Sequence, residues 1–324
     1  MTEAAQTLPT RDDVLRARET IAGRVHRTPV FSSTTLGDRI GARVFLKAEL
    51  FQKTGSFKPR GVLTKLATLT PEERARGVIT WSAGNHAQAV AWASASEGID
   101  CLVVMSALAN PQKVAASSGY GAAVDIEAPD QAASHDRLLQ LIEETGRTYL
   151  PPFDDPHVIA GQGTIGLEIA EDVPDADLIV CPIGGGGLVA GVATATDTRL
   201  VGVEPELSAA FSAGLAAGES VHIEMKPTSA DGLAPPFAGE LNLAIGRERV
   251  EQVALVTEDE IAAGMRFLYA RAKLACEPSG AAAVGALLAG KVPVEPGSTV
   301  VAIVSGGNAA PETASAILAR ADED

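Results

Sequence analysis

The chain is 324 residues long, with 46% apolar and 21% charged residues and a formal net charge of −15. This composition can fill the core of one large domain or two modest ones, and it is too apolar for a disordered chain. The negative charge repels nucleic-acid phosphates and anionic lipid, so nucleic-acid and membrane partners are not expected.

Short apolar runs alternate with longer helical patterns along most of the chain. The predicted strands are Val78–Trp81, Cys101–Met105, Ala122–Ile126, Leu178–Cys181, Leu200–Val203, Gln252–Val256 and Thr299–Val304. The predicted helices are His86–Glu97, Gln131–Glu144, Leu188–Thr196, Glu258–Leu274 and Gly280–Leu288. Short strands that are apolar throughout are typical of a parallel sheet that helices cover on both faces. The sequence therefore predicts the α/β fold class.

The first candidate for a chemical role is the segment around Lys58. Pro59 suits the first position of a helix, which leaves Lys58 at the helix start. The positive end of the helix dipole disfavours a protonated amine there, and a neutral amine favours imine chemistry. The alternative is an ordinary solvated surface lysine.

A second candidate is the stretch Ser82-Ala83-Gly84-Asn85-His86, which lies between a predicted strand and a predicted helix. Its backbone amides are suited to a carboxylate, and Asn85 is free to hydrogen-bond a ring substituent. The alternative is an ordinary helix cap formed by Asn85 or Gly84, with His86 as a structural residue.

The strongest local signal is the run of four glycines at residues 184–187, followed by Leu188. Consecutive glycines between a strand and a helix let backbone amides close around a phosphate at the helix N-terminus. The alternative is a flexible turn. Gly185, Gly187 and Ala190 also satisfy the dinucleotide fingerprint, and the next strand ends in Glu204, so a nicotinamide or flavin oxidoreductase stays open.

The last candidate loop is Ser305-Gly306-Gly307-Asn308, directly after an apolar strand. A hydroxyl at the carboxyl end of a strand faces the crevice where α/β sheets bind ligands, although a plain turn would have the same composition. Three glycine-bearing loops and a lysine at a helix start together indicate a phosphorylated carbonyl cofactor, pyridoxal phosphate. A dinucleotide enzyme would leave Lys58 unexplained.

At these residues the sequence resembles the fold-type II pyridoxal-phosphate enzymes, in particular the group of threonine dehydratases and serine racemases. The matching segments are 26–29, 47–61, 82–88, 158–164, 184–187, 277–280 and 305–308. The resemblance implies a two-domain fold like that of the tryptophan synthase β subunit. A large cofactor-binding domain would comprise residues 1–71 and 153–324, and a small mobile domain residues 72–152.

The resemblance also implies a role for each matched residue. Lys58 would be the Schiff-base lysine and the base that takes the α-proton of the substrate, and Phe57 would pack against the cofactor ring. Asn85 would hydrogen-bond the ring hydroxyl, and Ser305 would face the pyridine nitrogen. The phosphate would be held by Gly184, Gly185, Gly186, Gly187 and Leu188. The substrate carboxylate would be held by Ser82, Ala83, Gly84, Asn85 and His86.

Departures from the pattern narrow the expected activity. Serine racemases have a catalytic serine where this chain has Ala83, and one ligand of their metal site is replaced by Ala210, so no metal is expected at Glu204. The segment 234–237 is apolar, which favours a small or apolar β-substituent. The resemblance therefore implies a dehydratase acting on L-threonine and also L-serine. A serine racemase and a 3-hydroxyaspartate dehydratase of the same family remain alternatives.

The remaining expectations concern the cellular location, the assembly and the regulation of the protein. The polar N-terminus carries no signal segment, no apolar stretch is long enough to cross a bilayer, and the three cysteines form no disulfide framework. A cytoplasmic protein is expected. The resemblance implies a homodimer or a homotetramer acting on a small amino acid. No counterpart of the isoleucine-binding regulatory domain follows the C-terminal helix, so inhibition by isoleucine is not expected.

Overall fold

A computed structural model describes residues 7–320 of the chain, so the first six residues of the polar N-terminus lie outside it. Its strands are β1 (Val30–Ser32), β2 (Arg43–Ala48), β3 (Val78–Trp81), β4 (Cys101–Ser106), β5 (Ala123–Ala128), β6 (Thr148–Tyr149), β7 (Leu178–Pro182), β8 (Arg199–Pro205), β9 (Gln252–Val256) and β10 (Thr299–Val304). Its α-helices are α1 (Arg11–Ile21), α2 (Thr34–Ile40), α3 (Pro59–Leu66), α4 (Pro71–Arg76), α5 (Asn85–Ser96), α6 (Pro111–Gly119), α7 (Gln131–Thr145), α8 (Pro156–Asp172), α9 (Gly187–Ala195), α10 (Ala210–Ala217), α11 (Glu240–Arg249), α12 (Glu258–Phe267), α13 (Pro278–Leu288) and α14 (Pro311–Leu318).

The larger sheet has six strands in the order β1-β2-β10-β7-β8-β9. All neighbours pair in parallel except β1, which runs antiparallel to β2. The last strand of the chain, β10, lies in the middle, with Val300 opposite both Val44 and Leu178. Buried apolar clusters cover both faces: α12 and α13 pack on one, and α8, α9 and α11 on the other. This arrangement confirms the predicted α/β class.

The smaller sheet has four parallel strands in the order β5-β4-β3-β6. Its strands come from one continuous stretch, residues 78–149. Helices α5 and α7 pack on it. The sheet therefore falls within the predicted small domain, residues 72–152, whose boundaries and mobility stay predictions.

Helix α3, which carries Lys58 at its start, is held unusually close to α8. A β-carbon added at Gly161 in α8 would lie 2.5 Å from the Cα of Gly61 in α3, so only glycine permits this approach. Within the same contact, a β-carbon added at Gly61 would lie 2.7 Å from the carbonyl oxygen of Val158. The close packing fixes the helix start on which the candidate lysine sits.

A buried cluster of charges reinforces the same region. The Arg60 guanidinium donates to both carboxylate oxygens of Glu49, each at 2.9 Å, and to both oxygens of Glu168, at 2.6 and 3.0 Å. Lys47 Nζ donates to Glu168 at 2.5 Å and to the Thr28 carbonyl oxygen at 2.8 Å. Burial alone would raise the pKa of Glu168, but Arg60 and Lys47 hold that pKa below its ordinary value. Two cations thus balance two carboxylates out of contact with water.

The seven predicted strands all exist, with ends that differ by two residues or fewer. The prediction of one helix over Glu258–Leu274 is wrong at its end. The α-helix stops at Phe267, a π-turn follows, and Lys273 has a φ of 60°. This bend closes with a hydrogen bond from the Leu274 N–H to the Leu268 carbonyl oxygen, and the Leu274 side chain beyond it is buried. No helix within residues 7–320 is long and apolar enough to cross a membrane.

Candidate active site

The predicted loops meet at the carboxyl ends of β3, β7 and β10. The Asn308 amide donates to Asn85 Oδ1 at 2.7 Å, which joins the loops after β10 and β3. The Phe57 N–H donates to the Ser305 carbonyl oxygen at 3.2 Å, which places the start of α3 beside the same loop. The structure therefore brings Phe57, Lys58, Asn85 and Ser305 into one neighbourhood, as the sequence predicts for residues that share a cofactor.

Lys58 occupies the cap position of α3, with Pro59 at the first helical position as predicted. Its amine donates to the carbonyl oxygen of Pro152 at 2.7 Å and lies 5.1 Å from the centroid of the Phe57 ring. Burial lowers the pKa of the amine to about 8. The direction agrees with the prediction, but the cause is removal of the amine from water rather than the helix dipole. The amine is thus available as a nucleophile near neutral pH.

This low pKa predicts how the protein without cofactor reacts with pyridoxal phosphate. Only the neutral amine attacks an aldehyde, and a pKa of about 8 makes Lys58 largely neutral above that pH. The attachment rate, followed by absorbance, should rise with pH and level off above about 8, whereas a free lysine side chain should keep gaining rate to about pH 10. A rate that still climbs steeply above about pH 9 would contradict the assigned pKa.

His86 lies deep in the same region rather than at an open surface. Its Nε2 lies 3.0 Å from the Leu150 carbonyl oxygen, and its side chain is buried. Burial, with a smaller contribution from the charge of Lys58, lowers the pKa of the imidazole to about 3. A neutral ring that donates from Nε2 suits these facts, so any contact of His86 with a carboxylate would come from its backbone N–H.

The glycine run after β7 forms an open cradle of backbone donors. Within residues 7–320, no N–H from Gly184 to Leu188 donates to a protein acceptor. These donors lie at the N-terminus of α9, whose dipole favours an anion. Below the cradle, the Phe153 ring packs so closely that a β-carbon at Gly185 would overlap it, and Asn242 Nδ2 donates to the Gly185 carbonyl oxygen at 2.7 Å. The loop is therefore rigid and suited to a phosphate.

A substitution at Gly186 is the most direct test that the glycine cradle binds a phosphate. Gly186 has a φ of +94°, and an added β-carbon would lie 2.7 Å from Asn242 Cβ and 2.8 Å from the Phe211 ring. Gly186→Ala should therefore displace the loop and weaken binding of pyridoxal phosphate about tenfold or more in equilibrium dialysis. Gly218→Ala is the matched control, because its φ is +83° but nothing lies within 4 Å of an added β-carbon. Equal affinities in the two variants would contradict the proposed cradle.

The loop after β3 has the geometry of a second anion site. Helix α5 begins at Asn85 with Gly84 as its cap and without a side-chain hydrogen bond at the cap. The Gly84 N–H donates to Ser82 Oγ at 3.2 Å, which curls the loop. Ala83 is partly buried and packs against the apolar cluster of the smaller sheet. The loop can present amides of residues 82–86 to a carboxylate, and assigning it that role stays a prediction.

The residues present fit pyridoxal phosphate. Lys58 would supply an amine for its aldehyde, the glycine cradle would supply donors for its phosphate, and Asn85 would supply an amide for its ring oxygen. The Ser305 side chain is buried at the end of β10, where a hydroxyl can face a neutral ring nitrogen. A neutral hydroxyl partner does not favour protonation of that nitrogen.

Two residues of this neighbourhood were not predicted as site residues. Glu277 is buried and accepts a hydrogen bond from Asn85 Nδ2 at 2.7 Å, and burial raises its pKa to about 7. Asn308 donates to Asn85 from the far side. Glu277 and Asn308 belong to segments that resemble the family, but nothing in the sequence shows that both contact Asn85, which lies 192 and 223 residues away along the chain.

Glu204, which the dinucleotide alternative required, serves a different purpose. Its buried carboxylate accepts the N–H groups of Phe211 at 2.7 Å and Ser212 at 2.9 Å, and the Ser212 hydroxyl at 2.7 Å. It therefore caps the N-terminus of α10 and is not exposed to a ribose. Within residues 7–320, no group of three or more His, Cys, Asp or Glu side chains could hold a metal ion.

Known proteins are similar to this chain along nearly its whole length. The family described as pyridoxal-phosphate dependent enzyme matches residues 21–306. An L-threonine ammonia-lyase of Thermotoga maritima is 42% identical, with 92% of this chain and 75% of the relative covered. The catabolic L-threonine dehydratase of Escherichia coli strain K12 is 42% identical, with 92% of each chain covered. The structure of maize serine racemase has a TM-score of 0.90 at 36% identity and covers 95% of this chain and 96% of that one. The lysine, the phosphate cradle and these similarities agree: the chain belongs to the pyridoxal-phosphate-dependent enzymes of fold type II.

Proposed function

We propose that the protein is an ammonia-lyase that converts L-threonine, and also L-serine, to a 2-oxo acid and ammonia. The observation that carries this proposal is the buried Lys58 amine, which has a pKa of about 8 and donates to the Pro152 carbonyl oxygen, next in the chain to the Phe153 ring that packs against the glycine cradle. Similarity to a threonine ammonia-lyase and a threonine dehydratase at 42% identity supports the choice of substrate.

Each group of the chain has a defined task in this proposal. When bound, pyridoxal phosphate withdraws electrons from the α-carbon of an attached amino acid and so makes its α-proton acidic. Lys58 takes that proton, which its lowered pKa permits near neutral pH. The amides of residues 82–86 hold the substrate carboxylate, and the glycine cradle anchors the phosphate. Loss of the β-hydroxyl and hydrolysis of the released enamine then give the 2-oxo acid and ammonia.

Ala83 favours elimination over racemisation. A racemase needs a second proton-transfer group on the opposite side of the α-carbon, and the methyl group of Ala83 cannot give or take a proton. The Ala83 side chain packs into the apolar cluster of the smaller sheet, and alanine has no hydroxyl group to present at this position. Chiral analysis of L-serine after incubation with the enzyme separates the two outcomes, and rapid formation of D-serine would favour the racemase alternative.

The wall beyond the glycine cradle favours a small or apolar β-substituent. Phe237 contacts Phe153 edge to face, with ring centroids 5.7 Å apart, at the end of the apolar segment 234–237. Lys113, a cation that reaches towards this segment, is already paired with Asp231. A second carboxylate, as in 3-hydroxyaspartate, would lose hydration against these two rings, while Lys113 is already paired and the His222 ring, whose centroid lies 4.9 Å from that of Phe237, is exposed to solvent.

The deciding experiment measures 2-oxo acid release by the enzyme loaded with pyridoxal phosphate. L-threonine, L-serine and L-threo-3-hydroxyaspartate are compared at equal concentrations. Fast release from L-threonine is expected, with slower release from L-serine. Release from 3-hydroxyaspartate alone would overturn the substrate assignment, and failure to bind pyridoxal phosphate would overturn the proposal as a whole.

We also propose that residues 72–152 form a mobile domain that closes over the bound substrate. The four-stranded sheet within this range supports a separate unit, and the ion pair between Lys113 of α6 and Asp231 joins it to the rest of the chain across the site. X-ray scattering should show a smaller radius of gyration when an unreactive amino acid is added to the enzyme. An unchanged radius would contradict closure.

We propose that the protein is cytoplasmic and that it assembles as a homodimer or a homotetramer. The free and buried thiols of Cys101, Cys181 and Cys276 support a reducing compartment. Resemblance to the family supports the assembly. Sedimentation velocity should give a mass of two or four chains, and a monomer at micromolar concentration would contradict the assembly.

A further inference from the structure

We propose that Glu277 and Asn308 are positioning residues that fix the orientation of the Asn85 amide and so direct one of its N–H bonds towards the cofactor ring oxygen. This inference rests on the proposed function, because it takes Asn85 as the partner of that oxygen. It assigns a task to a buried carboxylate and an amide that the proposed mechanism does not use.

The two hydrogen bonds leave the Asn85 amide one orientation. Its Nδ2 donates to Glu277 Oε1 at 2.7 Å, and its Oδ1 accepts from Asn308 Nδ2 at 2.7 Å. A half-turn of the amide would place its nitrogen against the Asn308 N–H donor, which is repulsive, and its oxygen against Glu277, which is repulsive whenever that carboxyl is ionised. Because an amide nitrogen carries two hydrogens and Glu277 accepts one, the second is held in a defined direction.

The two positioning groups are themselves held in place. Asn308 Nδ2 also donates to the Thr54 carbonyl oxygen at 2.7 Å, and Thr54 has a φ of 59°, which a β-branched residue rarely adopts. The Glu277 N–H donates to the Gly306 carbonyl oxygen at 3.1 Å. A side chain at Gly306 would overlap the Glu277 carboxylate, so glycine here makes room for that carboxylate beside Ser305. These contacts connect the loops before α3, after β10 and at the start of α13.

A structural role alone would not require this pairing of donors and acceptors. Glu277 lies at the cap position of α13, yet its side chain makes no capping hydrogen bond and points to Asn85 instead. Asn308 is exposed, so it contributes little to the core. A carboxylate that leaves its own helix uncapped in order to accept from the candidate cofactor ligand is better explained by positioning that ligand.

The test uses Glu277→Leu, which removes the acceptor, and Asn308→Asp, which replaces the donor by a group of equal size that cannot donate. Each variant should bind pyridoxal phosphate about tenfold more weakly and shift the absorbance maximum of the bound cofactor without substrate present. Combined with Asn85→Ala, neither should add a further loss, since all three act through one hydrogen bond to the cofactor. Glu277→Gln, which keeps an acceptor oxygen, should restore much of the affinity.

The controls are Glu258→Leu and Asn110→Asp. Glu258 is a partly buried carboxylate in the first turn of α12 that accepts from the Thr228 hydroxyl and the Ser229 N–H, and Asn110 caps α6 by accepting from the Gln112 N–H. Within residues 7–320, no hydrogen bond joins either side chain to Asn85. Neither control should shift the absorbance maximum. Because Asn308 is exposed, its variant keeps the test decisive even if Glu277→Leu is poorly stable.

Two results would overturn the inference. One is a wild-type absorbance maximum and affinity in the Asn308→Asp variant. The other is a loss of affinity that adds fully to that of Asn85→Ala, which would indicate independent structural effects. These results are distinct from failure of the proposed function, in which the unaltered protein would neither bind pyridoxal phosphate nor release a 2-oxo acid.

Discussion

Replacing Lys58 by Ala is expected to lower the turnover of L-threonine at least about a thousandfold. The substitution removes the amine to which the proposal assigns both attachment to the cofactor aldehyde and removal of the α-proton of the substrate. Reduction with borohydride followed by mass spectrometry should find the cofactor on Lys58 in the unaltered protein and on no lysine of the variant. Release of 2-oxo acid gives the rate.

The matched control is Lys226→Ala, because Lys226 is an exposed lysine in the segment between α10 and α11. It should retain normal turnover and a normal yield of borohydride labelling. Normal turnover in the Lys58→Ala variant would rule out the assigned chemistry, even if the protein still binds pyridoxal phosphate through its phosphate cradle.

The Arg60→Ala variant is expected to lose about 3–5 kcal/mol of unfolding free energy. Arg60 is almost completely buried and makes hydrogen bonds to both oxygens of Glu49 and of Glu168, so its removal leaves negative charge without a partner inside the protein. Lys47 still pairs with Glu168 at 2.5 Å, so Glu49 is the carboxylate that loses its charged partner in the variant. Chemical denaturation at pH 7 measures the loss.

The pH dependence of this loss of unfolding free energy shows whether it comes from the unpaired charge. Although burial alone would raise the pKa of Glu168, Arg60 helps to hold that pKa below its ordinary value, so Glu168 contributes stability at neutral pH that is lost as the pH falls, and this contribution is smaller without Arg60. The destabilisation should then be full at neutral pH and shrink as the pH falls towards about 5. Arg199→Ala is the control, since Arg199 pairs with Glu251 at an exposed surface and should change stability little. A loss for Arg60→Ala that does not vary with pH would point to lost packing instead.

Local signals in the sequence identified the segments of much of the candidate site, because its possible donors lie in short stretches of the chain. Pro59 places Lys58 at a helix start, and the glycine run directly follows a predictable strand, so both could be identified without knowledge of tertiary contacts. The contacts of Glu277 and Asn308 with Asn85 could not be, since they arise only when three distant loops meet. The same limit applies to the helix end at Phe267, where the chain bends and Leu274 packs into the core beside the larger sheet.

The strands that were missed have a physical reason in common. β1 has only three residues and two of them are exposed, and β6 has two residues, so neither shows an alternating or continuous apolar pattern. β2 contains two cations, one of which, Lys47, is buried only because the Glu168 carboxylate neutralises it. A pattern based on apolarity cannot anticipate a charged residue whose partner lies 121 residues further along the chain.

The central place of β10 in the larger sheet affects how the protein is made. A ribosome releases residues 78–149 early and as one continuous stretch, so the four-stranded sheet can form while synthesis continues. The larger sheet cannot, because β2 and β7 each present an unpaired edge until residues 299–304 emerge and insert between them. From the completion of β7 until residues 299–304 emerge, the nascent chain therefore carries two open strand edges, and chaperones that shield such edges should matter most in that interval.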